Sequence, residues 1–121
     1  MKYLLSIYTN PANWEALSPS ERDSLMSEYY AFTTEIIESG EFVQGSQLAE
    51  SGSAQTVRVR GGGTQVVDGP FAESKEQLAG FYLIEVDSPK RAAELAAKIP
   101  DARYNAVEVR ALLDNGGGQE M

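Results

Sequence analysis

Asp68 is the residue whose type and position in the sequence best suit chemistry. It ends the apolar run Val66-Val67 and precedes Gly69-Pro70. Glycine permits unusual backbone angles and proline lacks an N–H group, so the strand is expected to stop here. A carboxylate fixed at a strand end can serve as a general acid or base, or anchor a polar ligand. The alternative is an Asx-type turn, in which the carboxylate accepts local backbone N–H groups.

Five other side chains stand at or near predicted element ends that could face the same cleft. We predict Asp68 as the catalytic group, with these substrate-binding residues: Tyr8, Arg58, Lys75, Arg103 and Tyr104. Arg58 is the best partner for Asp68, because the two lie on adjoining strands of one predicted hairpin. A neighbouring arginine would lower the pKa of the carboxylate and favour binding over proton transfer. Alternatively, Lys75 is a solvated charge and the tyrosines form an aromatic wall.

The composition excludes several kinds of site. The 121 residues include no histidine and no cysteine, so catalysis would use carboxylates, Tyr, Lys, Arg or Ser. We therefore expect no metal ion and no cofactor. A net charge of −8 disfavours nucleic acid as a partner. No apolar run approaches the roughly 20 residues of a membrane-spanning helix, so we expect no membrane partner. The lack of cysteine fits a cytoplasmic protein.

Periodicity and breaker residues divide the chain into two helices and six strands. Alternating runs predict the strands, and each helix begins at a Ser-Pro pair. At Ser18, Glu21 completes a capping box, and an apolar stripe through Tyr29 and Phe32 marks the longer helix as core-facing. The predicted elements are, in order, strand 2–8, helix 19–39, strand 41–48, hairpin strands 55–60 and 64–67, strand 80–86, helix 89–99 and strand 106–112.

Some residues in these elements carry local expectations. Gly45 indicates a bulge or a close backbone approach within its strand. In the glycine-turn hairpin, Val57 and Val59 should face the core, with the arginine between them on the opposite face. The polar run 73–77 is expected to form one helical turn.

Without the hairpin, the element order is βαββαβ. This order predicts an α+β protein with a ferredoxin-like antiparallel sheet and two helices on one face. Strand 80–86 carries apolar side chains on both faces, so it should be central and its open face needs cover. We therefore predict a homodimer packed through the sheet face. The domain should span residues 1–113, and residues 114–121 should be a flexible C-terminal tail.

The run Val67–Ile84, which contains Asp68-Gly69-Pro70-Phe71, closely resembles the DGPF-domain branch of the YCII-related family. Further similar segments cover nearly the whole chain in the same order: Met1–Leu5, Thr56–Arg60, Ile99–Tyr104 and Val107–Arg110. The resemblance implies a dimeric ferredoxin-like α/β barrel, found in bacterial proteins of mostly unassigned activity. The resemblance implies a His–Asp pair in some members of the family. This chain has no histidine, so only the aspartate of that pair could correspond here, at Asp68. Where the family pattern has a glycine after the Arg-Tyr pair, this chain has Asn105.

Two functions are open from the sequence. The first is a protein that binds or transforms a small polar metabolite in a cleft at Asp68. The second is a non-catalytic dimerisation or regulatory module, which fits a chain without His or Cys. The residues do not decide whether the protein is an enzyme.

Overall fold

The computed structural model describes residues 1–113, and its strands and helices alternate as an α+β fold. The predicted tail 114–121 lies outside the described residues. Within the described part of the chain, none of the helices has the length and apolar character that a membrane crossing requires. The elements are β1 (Lys2–Thr9), α1 (Pro11–Glu15), α2 (Pro19–Glu38), β2 (Phe42–Gln47), β3 (Gln55–Arg60), β4 (Gly63–Asp68), β5 (Gln77–Glu85), α3 (Pro89–Lys98) and β6 (Ala106–Ala111).

Four strands form one antiparallel sheet in the order β2-β5-β1-β6. This order is consistent with the predicted ferredoxin-like arrangement. The strand predicted to be central, now β5, pairs with both β1 and β2. Within residues 1–113, strands β3 and β4 pair only with each other, as a separate two-stranded sheet. In the same part of the chain, the four-stranded sheet does not close into a barrel.

The core lies between the sheet and the helices α2 and α3. Alternate residues of β1 and β5 point into it, as the period of a strand requires. The apolar stripe of α2 supplies Phe32 and Ile36, and α3 supplies Leu95. The hydrophobic side chains without measurable exposure are Leu5, Ile36, Ile84, Ala92, Leu95 and Ile99. The predicted packing of two helices against one sheet face accounts for this core.

Both predicted Ser-Pro helix starts are confirmed. The Ser18 Oγ accepts a hydrogen bond from the Glu21 N–H at 3.2 Å, and the Glu21 carboxylate accepts one from the Ser18 N–H at 2.8 Å. This is the reciprocal pairing of a capping box. At the start of α3, the Ser88 Oγ accepts a hydrogen bond from the Arg91 N–H at 3.1 Å.

Gly45 confirms the expectation of a close backbone approach, and the bulge of its strand lies just before it. The register of β2 against β5 shifts between Phe42 and Gln44. A Cβ atom at position 45 would lie 3.0 Å from Cδ1 of Tyr82 and 3.1 Å from the carbonyl oxygen of Phe81. Only glycine lets the two strands come this close without a shift of one of them.

Two local expectations are wrong. Val57 and Val59 do not face the core, and their side chains are 58% and 62% exposed. Alternation defines two faces of a hairpin, but here the body of the protein covers neither face. The run 73–77 forms no helical turn, because the Gln77 side chain donates to the carbonyl oxygens of Ala72 and Ser74 and its backbone begins β5.

Candidate functional site

A cleft of about 1160 Å³ opens at the end of the sheet where β1 and β2 end and β5 begins. It lies between the first half of α2 and the helix-covered side of the sheet. The segment that follows β2, residues 48–52, forms part of its wall. Its walls are rich in aromatic side chains, namely Trp14, Tyr29, Phe42, Tyr82 and Tyr104.

Asp101 is the polar centre of this cleft. Its Oδ2 accepts a hydrogen bond from the Tyr29 hydroxyl, and its Oδ1 accepts one from Nδ2 of Asn105 at 3.1 Å. Tyr29 belongs to α2, whereas Asp101 lies in the 3₁₀ turn Pro100–Arg103 that follows α3. The carboxylate therefore joins the long helix to the turn that leads into β6.

Asn105 extends the network to the outer wall. Its Oδ1 accepts hydrogen bonds from the Asn10 N–H at 3.0 Å and from Nδ2 of Asn13 at 2.9 Å. An amide oxygen has two lone pairs, so these two donors fill its capacity. The side chain thus holds α1 against the turn before β6. A glycine here, as in the pattern that the chain resembles, would supply none of these bonds.

A second polar pair lies deeper in the cleft, on the sheet. The Thr33 hydroxyl donates to the Tyr29 carbonyl at 2.9 Å, and the hydroxyls of Thr33 and Tyr82 are 2.6 Å apart. Since Thr33 has a single hydroxyl proton and gives it to the carbonyl, Tyr82 is the donor in this second bond.

Both phenols keep their protons at neutral pH. Burial and then the hydrogen bond to Asp101 raise the pKa of the Tyr29 phenol well above its ordinary value. Burial likewise raises the pKa of Tyr82. These tyrosines are therefore hydrogen-bonding groups in the folded protein and poor general bases.

Arg103 and Tyr104 lie at the rim of the cleft, and their predicted role in binding a substrate stays a prediction. The Arg103 guanidinium lies 2.8 Å from the Glu28 carboxylate, and its Cζ is 5.2 Å from the Tyr104 ring centroid. The ion pair with Glu28 raises the pKa of Arg103 above its ordinary value. Its charge is already balanced within the protein.

Asp68 and Arg58 do not form the predicted ion pair. In the register of the hairpin, Asp68 lies opposite Gln55, and Arg58 lies on the other face. Among the described residues, the Asp68 carboxylate accepts a 3.4 Å hydrogen bond from the Gln55 side chain. Arg58 instead stands 5.1 Å from the ring centroid of Phe71. Neither residue is among those that line the cleft.

The backbone after Asp68 behaves as the sequence indicated. Gly69 has a φ of 107°, a conformation that side-chain-bearing residues rarely adopt. Its N–H donates to the Ala54 carbonyl at 2.7 Å, and its carbonyl accepts from the Thr56 hydroxyl at 2.9 Å. These bonds close the base of the hairpin and leave Asp68 exposed.

Tyr8 and Lys75 lie away from the cleft. Tyr8 points to the open side of the sheet, where it borders a hollow of about 390 Å³ with Ser74, Glu76 and Glu108 among its neighbours. Lys75 is exposed in the loop before β5. The structure therefore brings Arg103 and Tyr104 together and leaves the other predicted site residues elsewhere.

The sequence reasoning missed the centre of the cleft. Tyr29 was assigned to the core by its helical spacing, and it does pack against the core while its hydroxyl reaches Asp101. Asp101 and Tyr29 are 72 positions apart, so no local pattern links them. The signals in the sequence that point to this region are the Arg103-Tyr104 pair and the departure from the family pattern at Asn105. Within residues 1–113, no group of three or more carboxylates is arranged to hold a metal ion.

Comparison with known proteins gives two matches. The model of the YCII-related domain matches residues 1–115. An uncharacterised protein of Rhizobium meliloti (strain 1021) is 35% identical over 114 residues, which cover 93% of this chain and 92% of that protein. Together with the order of the strands and helices, these matches identify the chain, which belongs to the YCII-related domain family.

Proposed function

We propose that the protein binds a small molecule in the cleft between α2 and the sheet. The observation that carries the proposal is the Tyr29–Asp101–Asn105 network at the centre of a concave, aromatic-walled space. Ligand sites typically combine apolar walls with a few fixed polar groups, and the volume here is ample for a metabolite. Whether binding is followed by a reaction is a separate question.

The polar groups of the cleft favour a ligand that donates hydrogen bonds. The phenol protons of Tyr29 and Tyr82 are already given to Asp101 and Thr33, so their oxygens can only accept further bonds. The acidic residues on the walls are Glu15, Glu50 and Asp101, while Arg103 is paired with Glu28. A neutral or cationic amine, amide or alcohol with an apolar part fits this balance better than an anion.

The experiment is a thermal-shift screen of the protein against metabolite amines, amides, alcohols and carboxylates. We expect at least one donor-rich compound to raise the unfolding temperature by about 2 °C or more, with carboxylates inactive. Asp101→Asn should lose most of that ligand-induced shift, and Asp87→Asn, at an exposed carboxylate beyond β5, should keep it. An equal ligand-induced shift in Asp101→Asn and in the unmodified protein would contradict the proposal.

Asp68 stays our predicted catalytic or ligand-contacting carboxylate, together with Arg58, Tyr8 and Lys75. The support for this prediction is the position of Asp68 at the end of a strand, before Gly69-Pro70. Asp68 is exposed and lies outside the cleft, so its substitution tests the carboxylate itself. Asp68→Asn belongs in the same screen. A ligand-induced shift equal to that of the unmodified protein would assign Asp68 to the turn alone.

We also propose a homodimer packed through the open face of the sheet, which would form the dimeric α/β barrel. The observation in favour is an apolar strip at the centre of that face, where Leu4 pairs with Leu83 and Phe81 lies two positions before Leu83 on the same side. A sheet with apolar residues on both faces needs cover on both. The same observation supports the second candidate function, a non-catalytic dimerisation or regulatory module.

Light scattering coupled to gel filtration tests the sheet-face dimer. The unmodified protein should have twice the mass of one chain, and Leu83→Glu should have the mass of one chain. Ile37→Glu, at an exposed position of α2, is the matched control and should keep the dimer. A dimer in Leu83→Glu would exclude the sheet face. If the protein is a dimer and no compound in the screen raises its unfolding temperature, the non-catalytic dimerisation or regulatory module is favoured.

Two finer assignments complete the proposal. The motif Asp68-Gly69-Pro70-Phe71 supports placing the chain in the DGPF branch of the family. The Rhizobium meliloti relative supports a bacterial protein. The absence of cysteine supports a cytoplasmic location. Fractionation of cells that express the native protein tests the location, which should be the soluble cytoplasmic fraction.

A further inference from the structure

The part of the cleft wall that connects β1 to α2 is built without buried side chains. None of the five residues of α1 is buried. A helix this short is not stable in water by itself, so its position depends on contacts with the rest of the protein. Residues 10–17, which contain α1, supply six residues to the lining of the cleft: Asn10, Pro11, Asn13, Trp14, Glu15 and Leu17.

Hydrogen bonds at two points hold residues 10–17 in place. At the first, the Asn105 amide oxygen accepts two bonds from the segment. At the second, Arg22 donates to the backbone carbonyls of Trp14 at 3.1 Å and of Glu15 at 3.4 Å. The Arg22 guanidinium also lies 5.0 Å from the centroid of the Trp14 ring. These contacts are polar and mostly exposed, so bonds to water can replace them at little cost.

The elements on either side of this segment are anchored more firmly. Strand β1 is paired with β5 up to Thr9, and α2 begins at the capping box of Ser18 and buries Leu25 and Phe32. Segments with few buried apolar contacts and exposed hydrogen bonds open more readily than core elements, and the lids of binding sites belong to this class. Residues 10–17 should therefore open while the rest of the protein stays folded.

We propose that residues 10–17 are a lid, which the bonds to Asn105 and Arg22 hold closed and whose local opening admits the ligand to the cleft. The inference rests on the proposed binding function and adds the route by which the site is reached. Opening would expose the inner part of the cleft, where Thr33 lies. Because Asn105 also donates to Asp101 at 3.1 Å, a ligand that bonds to Asp101 would act directly on a contact that closes the lid.

A single thiol at the inner end of the cleft measures the opening without a known ligand. The chain has no cysteine, so Thr33→Cys supplies one thiol for reaction with N-ethylmaleimide. In this background, Arg22→Gln should raise the rate of modification at least about threefold, because it removes one of the two sets of bonds that close the lid.

Arg110→Gln is the matched control for the thiol measurement. Arg110 is exposed on β6 and donates to Glu108 of the same strand, away from the lid. Its substitution should change the rate of modification by less than about 1.5-fold. Equal rates in the Arg22→Gln and Arg110→Gln variants would overturn the proposal.

Hydrogen exchange followed by mass spectrometry gives a second measurement, which also serves if Thr33→Cys fails to fold. In the unmodified chain, the backbone amides of the lid should exchange at least about tenfold faster than those of residues 25–36 in α2. Asn105→Ala should accelerate exchange in the lid at least about threefold. Equal exchange in the lid and in α2 would overturn the proposal, since the segment would then open only with the whole protein. Lid exchange that Asn105→Ala leaves unchanged would also overturn it.

These measurements separate the lid from the proposed binding function. If a compound in the thermal-shift screen stabilises the protein and thiol access does not depend on Arg22, the binding function stands and the lid falls. If thiol access depends on Arg22 and no compound in the screen binds, the opening of the lid stands and the proposed binding function falls.

Discussion

The Tyr29 hydroxyl connects the long helix to the turn that carries Asp101. The donor is neutral and the acceptor is a carboxylate, and bonds of this kind are among the stronger ones in proteins. Tyr29 is half-buried, so its hydroxyl would have little access to water in place of Asp101. The same bond shapes the cleft and holds together two elements that are distant in the chain.

Tyr29→Phe should therefore destabilise the protein by about 1–3 kcal/mol, because the carboxylate of Asp101 loses a buried donor. Urea unfolding followed by circular dichroism measures this change. Tyr30→Phe is the matched control, since Tyr30 is adjacent and 79% exposed, and it should stay within about 0.5 kcal/mol of the unmodified protein. Equal stabilities of the two variants would contradict the structural role of the Tyr29 hydroxyl.

Glu41 carries the clearest pH dependence. Its carboxylate accepts two bonds from the Arg91 guanidinium, at 2.8 and 2.9 Å, and a third from the Ser39 hydroxyl at 2.7 Å. The bonds from Arg91, and then from Ser39, hold the pKa of Glu41 below its ordinary value of 4.5. Glu94, which also contacts Arg91 at 3.5 Å, and Lys98 are the other charges nearby.

A lowered folded-state pKa means that Glu41 contributes stability above pH 4.5 and loses it as the pH falls through the folded value. Glu41→Gln should cost about 1 kcal/mol at pH 7, since the ion pair is partly exposed. The difference from the unmodified protein should shrink in acid. Guanidinium unfolding at pH 7 and at pH 3 measures both, and a difference that is independent of pH would contradict this assignment.

At the scale of the elements, β2 and β5 approach each other closely at Gly80. A Cβ atom at Gly80 would lie 2.9 Å from the backbone carbonyl oxygen of Ser46. Backbone atoms cannot rotate out of the way, so one strand would have to shift. Because the cleft lies between these strands and α2, such a shift would also change its wall.

Gly80→Ala should cost about 1–3 kcal/mol of stability, measured by thermal unfolding. Gly52→Ala is the control from the neighbouring loop, where an added Cβ would meet nothing within 4 Å. It should change stability by less than about 0.5 kcal/mol. Similar losses in the two variants would show that the strands tolerate separation at Gly80.

The elements also show what sequence patterns can predict. Ser18 with Glu21, and the stripe through Phe32, are local signals, and the capped amphipathic helix formed as predicted. Val57 and Val59 are buried only if another surface covers their face of the hairpin. The alternation of apolar and polar residues in the sequence does not show whether such a surface exists. The pairing of Arg58 with Asp68 failed for a geometric reason, because the hairpin register places them on opposite faces.

At the scale of the whole molecule, the order of elements was enough to predict the α+β class and the arrangement of strands. The site was not predictable to the same extent, because Tyr29 and Asp101 meet only when α2 and the turn after α3 pack together. Arg103 and Tyr104, which the sequence places at an element boundary, do line this cleft, although the sequence assigned them to a cleft at Asp68. Assembly depends on which surfaces contact another chain, and the periodicity of the sequence does not identify those surfaces.

If the chain is a homodimer, its thermal unfolding should depend on protein concentration. A tenfold increase in concentration adds about 1.4 kcal/mol to the stability of a dimer that unfolds to separate chains, so the midpoint should rise by a few degrees. Scanning calorimetry at two concentrations measures this shift. A midpoint independent of concentration would indicate that unfolding and dissociation are not coupled.

The segment after β2 takes part in two structures at once. Residues 48–52 form a wall of the cleft, and only Ser53 and Ala54 separate them from the hairpin of β3 and β4. In the proposed homodimer, any contact that restrains this hairpin would also restrain one wall of the cleft. By thermodynamic reciprocity, a ligand that binds the dimer more tightly than the single chain must strengthen dimerisation by the same factor. The protein would then report the concentration of its ligand as a change in its state of assembly.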